Sequence, residues 1–263
     1  MTIYTLDFFN DAKTIELDEA LLEKFQKLNR LFNKKMLNKQ KVFKKTNIVV
    51  DNLSAIKTII NKMTLETFSE NCETLINEYK AFSDKKMCSA KIFDILSKNI
   101  FYSSLYASLY SELIKIDDNF LITLNEYKPK LREQYSEIIY FDPETDYDNF
   151  CKNNIVNEII KSTTSFYCYL LLNGNIDSEY IIENIDFLID KIKSTKDNII
   201  VFELIENINI YITITYNILR SNQKWKTIIE SIDNMKNKRN DFSHLKNKCV
   251  FKCMDIIDFV SKI

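Results

Sequence analysis

The chain has 263 residues, 46% of them hydrophobic and 28% charged, and 36 basic against 37 acidic residues leave a formal net charge of -1. That is a folded, globular composition, and with one Gly and two Pro it excludes Gly-rich phosphate loops, Rossmann turns and tight β-hairpins, which need positive φ or close backbone approach. No unbroken apolar run reaches the ~18 residues of a membrane span, and the start lacks a basic-then-apolar leader, so a cytoplasmic location is expected.

The first 46 residues read as an N-terminal arm. It ends in a basic stretch, Lys34, Lys35, Lys39, Lys41, Lys44 and Lys45, interleaved with Met36, Leu37, Val42 and Phe43. Such a stretch either tracks an RNA backbone through its phosphates or is a solvated linker. Residues 47–263 read as one helical domain. Leu53, Ile56 and Ile60 mark one apolar face; Leu65, Phe68, Cys72, Leu75 and Tyr79 mark the next. Ile92, Ile95 and Leu96 follow, then Leu105, Leu109 and Leu113. Breaks are predicted at Ser83-Asp84, Asp117-Asp118, Asp142-Pro143, Asn173-Gly174-Asn175, Ser194-Thr195 and Ser221-Asn222, each of which supplies a cap or a turn former. The element count gives ten helices in five antiparallel pairs, an all-α chain of the α-solenoid kind.

Ile208, Ile210, Ile212 and Ile214 alternate with polar residues as a half-buried strand would. No turn signal interrupts 196–220, and a lone strand would leave its backbone groups unpaired, so helix is predicted. Trp225, Ile228, Ile229 and Ile232 form a core stripe. The six cysteines, at 72, 88, 151, 168, 249 and 253, lack CxxC spacing and read as reduced core residues.

Several strings carry a resemblance. Ile60-Asn61-Lys62-Met63-Thr64 with Phe68 resembles the "LNKLTP..F" element of the middle domain of eukaryotic translation initiation factor 4G. Phe101-Tyr102-Ser103-Ser104-Leu105-Tyr106-Ala107 resembles its "pnFs..YA" element. Ser243 with Val250-Phe251-Lys252-Cys253-Met254-Asp255-Ile256-Ile257-Asp258 resembles its closing "iSsRirFmlqDvidL". The departures are Leu65 where Pro is usual and His244 near the expected Arg. The resemblance covers residues 48–261 and implies five HEAT-type hairpins that dock the DEAD-box RNA helicase, initiation factor 4A, without catalytic chemistry, cofactor or metal. It places Asn61, Lys62, Thr64 and Phe68 at or under one helicase contact and Lys236, Lys238 and Arg239 near a second. In the arm, Ile3 to Asn10 resembles the Tyr-x-x-x-x-Leu-φ motif for the cap-binding factor 4E. Tyr4, Phe8 and Phe9 would engage its groove, or the segment straps its own domain. A minimal factor 4G, also touching mRNA, is the implied reading. The Ile, Asn and Lys bias suggests an AT-rich protist or a large DNA virus.

Three patterns compete. Arg239 and His244, the latter the lone histidine, fit the R-x4-H signature of HEPN-type ribonucleases, in which the imidazole assists metal-independent RNA cleavage across a dimer. His244, Cys249 and Cys253 lack a fourth metal ligand, and the two cysteines share a core face of the last helix. Asp142, Glu144, Asp146 and Asp148 lack the Gly and Glu of a calcium loop.

Overall fold

A computed structural model describes residues 53–262, and every count and absence below refers to them. They contain α1 (Leu53–Asn61), α2 (Phe68–Ala81), α3 (Lys85–Leu96), α4 (Ser103–Ile116), α5 (Asp118–Ser136), α6 (Tyr147–Leu172), α7 (Ser178–Ser194), α8 (Asn198–Leu219), α9 (Trp225–Lys236) and α10 (Asn247–Lys262), with 3-10 turns at Ile100–Tyr102 and Asn240–Phe242. No strand occurs among them.

Local chemistry sets the boundaries. The carboxylates of Asp84, Asp117, Asp146 and Asp197 accept hydrogen bonds from the first-turn amides of α3, α5, α6 and α8, satisfying donors that a helix start leaves unpaired. Gly174, at φ 76°, closes α6. Its amide reaches the Leu171 carbonyl at 2.9 Å and that of Asn175 reaches Leu170 at 2.9 Å, a left-handed cap that a side chain would strain. The isoleucine alternation resolves as helix. Ile205, Ile208, Tyr211, Ile212 and Thr215 are buried along one side of α8, because 22 residues of α-helix satisfy their own backbone while a lone strand could not.

Each helix packs on its hairpin partner, and beyond that on helices one or two steps away in the chain. The even-numbered helices α4, α6, α8 and α10 touch in succession, and so do α1, α3 and α5, with lighter contacts onward to α7 and α9. The core that the helices share is aromatic. Phe93 lies 5.5 Å from Tyr110, 4.6 Å from Tyr127 and 5.7 Å from Phe166, ring centre to ring centre. A polar seam runs through it: Tyr135 Oη meets Thr164 Oγ1 at 2.6 Å and Tyr211 Oη at 2.8 Å, and Thr164 donates to Asn207 Oδ1 at 2.7 Å.

None of the six cysteines forms a disulfide; Cys72, Cys88, Cys168, Cys249 and Cys253 are buried and Cys151 is half-buried. Burial pushes the Cys253 thiol up to about 12. One helix, α8, contains a window apolar enough to cross a membrane, with mean hydropathy 1.4, although its polar residues break every apolar run. In the fold it packs against α6, α7 and α10.

Candidate functional site

The connections inside the helix pairs carry the candidate residues, and contacts between them fix their shapes. In the first, Thr64 and Thr67 cap each other: the Thr64 amide donates to Thr67 Oγ1 at 3.0 Å and the Thr67 amide to Thr64 Oγ1 at 3.2 Å. Met63 is buried beneath this turn while Leu65, two residues on, is 85% exposed. In the second, Asn99 Oδ1 accepts the Phe101 amide at 3.2 Å and starts the 3-10 turn. That turn leaves Phe101 93% and Tyr102 45% exposed, with Tyr102 stacked on Tyr106 at 5.6 Å. The two connections meet around an open hollow of about 560 Å³ lined by Thr64, Leu65, Glu66, Phe101, Tyr102 and Leu105. A Leu and a Phe turned almost wholly to solvent on adjoining turns form an apolar surface of the kind that marks an interaction site.

Of the residues expected at the first helicase contact, Asn61, Lys62 and Thr64 are exposed on this turn. Phe68 is half-buried against the core and supports the turn from beneath. Leu65, Phe101 and Tyr102 were not singled out as contact residues from the sequence. Leu65, expected on the apolar face with Phe68, Cys72, Leu75 and Tyr79, is instead turned to solvent, because the Thr64–Thr67 turn holds it ahead of α2, which starts only at Phe68. Phe101 and Tyr102 likewise sit on the turn ahead of α4.

The second expected group lies on the turn between α9 and α10. Lys236 Nζ is 2.7 Å from Asp233. That lysine first, and Arg239 beside it, holds the Asp233 carboxyl below its ordinary range. Lys238 and Asn240 adopt left-handed φ of 51° and 53°, a conformation that costs a non-glycine residue about 1 kcal/mol or more. The loop keeps it because Phe242 and Leu245 are buried beneath and the Asn198 side chain ties it down. Asn198 donates from Nδ2 to the His244 carbonyl at 3.2 Å and accepts the Lys246 amide at 2.6 Å. Asn61, Lys62 and Thr64 are thus brought together, as are Lys236, Lys238 and Arg239, but the two groups sit on the first and last helix pairs, which share no substantial contact.

Arg239 and His244 lie on one loop. Arg239 borders a depression with Ile229, Glu230, Asp233, Asn234 and Ile257. The half-buried His244 has an imidazole Nε2 sealed from solvent without a hydrogen-bond partner. In the acidic connection, Asp142 accepts the Glu144 amide at 2.9 Å and Asp146 caps α6; no cluster of three or more His, Cys, Asp or Glu among the described residues is placed to hold a metal ion. Tyr4, Phe8, Phe9 and Lys34, Lys35, Lys39, Lys41, Lys44 and Lys45 lie outside the described residues. No protein-family model matches the chain, and no curated protein sequence matches it.

Proposed function

We propose that this chain is a non-enzymatic translation-initiation scaffold of the factor 4G middle-domain kind, built as an α-solenoid of five HEAT-type hairpins behind an N-terminal arm, and that it docks the DEAD-box helicase initiation factor 4A. Two observations support this reading. Packing that links only near neighbours in the chain is what stacked helical pairs produce. The observation that carries it is the apolar surface of Leu65 and Phe101, on the two turns whose sequences resemble the family's most specific elements. In this reading apolar side chains supply the affinity, and Lys62, Lys236, Lys238 and Arg239 tune encounter and orientation. The arm recruits factor 4E through Tyr4, Phe8 and Phe9 and mRNA through its lysines, and the protein works in the cytoplasm.

Pull-down with purified factor 4A, followed by RNA-stimulated ATPase assay, tests the core of the proposal. Capture and faster turnover are expected, and both should fall at least tenfold for Phe101→Asp. Failure of the wild-type chain to retain the helicase, or metal-independent RNA cleavage that disappears in His244→Ala, would overturn it.

A further inference from the structure

Among the described residues, α9 touches α7 and α10, and α10 touches α8 and α9. Large apolar side chains exposed together mark an interaction surface, and α10 carries two of them. Met254 is 42% and Phe251 60% exposed, and Val250, Met254 and Ile257 follow one stripe of α10 at i, i+4 and i+7. Ile257 and Ile229 floor an open depression of about 440 Å³.

Around that floor stand charges of both signs whose partners within the chain are poor. Arg239 lies 3.9 Å from Asp233, and Glu230 lies 3.9 Å from Lys226, both beyond hydrogen-bond reach. The side chains of Arg239 and Glu230 are 63% and 62% exposed.

We propose that this face is a homodimer interface, closed by a second copy of the chain across a two-fold axis. A surface built for a different partner gains most from one sign of charge, matched on the other protein. A two-fold contact instead needs both signs on a single face, because each patch must complement itself. With the apolar stripe of α10 across the axis, Arg239 of one copy faces Glu230 of the other, and each gains the close partner it lacks within its own chain.

Arg239 also belongs to the expected second helicase contact, so a dimer closed here and a helicase bound at that contact exclude one another. Sedimentation velocity of the full chain over a wide concentration series, with no helicase present, tests the dimer by itself. A monomer–dimer equilibrium is expected. Met254→Asp and Phe251→Asp, both at exposed positions and checked by thermal melts for an intact fold, should weaken it by about tenfold or more. Arg239→Glu and Glu230→Arg should each be monomeric alone and re-pair when mixed. A monomer at every concentration, a dimer that survives Met254→Asp, an open series of larger species, or a mixture that fails to re-pair would each overturn the proposal.

Discussion

Tyr110, Tyr135, Tyr167 and Tyr211 are buried in the core, and desolvation raises each phenol well above the ordinary tyrosine range. The sign of the consequence follows directly. Below pH ~10 these groups are neutral in the folded and the unfolded chain, so their contribution is fully present. Above it the unfolded chain releases phenolic protons that the folded chain retains, so stability falls as pH rises past about 10. Alkaline titration should therefore show the buried tyrosines' share of the tyrosinate absorbance appearing together with loss of helical circular dichroism, in one cooperative step. Gradual ionisation of all tyrosines with the helices intact would contradict this account. Within the same set, Tyr135 joins three helices through its hydroxyl, since it bonds Thr164 on α6 and Tyr211 on α8. Tyr135→Phe keeps the ring and removes that node, at a cost of about 1–2 kcal/mol. The thermal midpoint should drop by roughly 2–8 °C for a domain of this size. An unchanged midpoint would mean that the seam contributes no net stability.

At the scale of elements, Asn198 does for two connections what the aspartate caps do for one. It opens α8, yet its side chain bonds the His244 carbonyl and the Lys246 amide across the following hairpin. Asn198→Ala should cost about 1–2 kcal/mol. Amide exchange should quicken at residues 240–246 while the middle of α8 stays protected; uniform exchange across both segments would sink the idea. This contrast also marks what the sequence made legible. Helices and breaks could be read because their causes are local: the 3.6-residue period, Asp84 and Asp117 ahead of apolar runs, and Gly174 behind one. Even α8 was readable once backbone satisfaction was weighed against its alternating isoleucines. Asn198 was not, because its partners lie 46 and 48 residues away. Leu65 and Phe101 were legible as members of motifs but not as exposed groups, since only the pairing of two turns decides what covers them. Pro129, exposed and inside α5, shows the reverse: a residue that ordinarily stops a helix is carried by the packing of its neighbours.

For the whole molecule, the proposed array sets how a partner must be held. Helices in contact lie about 8–10 Å apart, so four steps along a row separate the first pair from the last by roughly 30–40 Å. A helicase spanning both groups would touch two patches that share no side chain and do not perturb one another. Their contributions should then add as free energies, so that fold-losses multiply. Phe101, the most exposed large apolar side chain among the described residues, would be the anchor. Phe101→Asp should weaken helicase binding by about 30-fold or more, the loss of a buried aromatic hot spot, with no drop in thermal midpoint. Lys238 acts as a charge at the rim, so Lys238→Glu should weaken binding by only several-fold, mainly by slowing association, and the loss should fade as salt screens it. Titration of labelled factor 4A against the two single variants and the double variant, at low and high salt, measures all of this. If the double variant binds no worse than Phe101→Asp alone, the turn between α9 and α10 does not touch the helicase, and one end of the array grips the partner by itself.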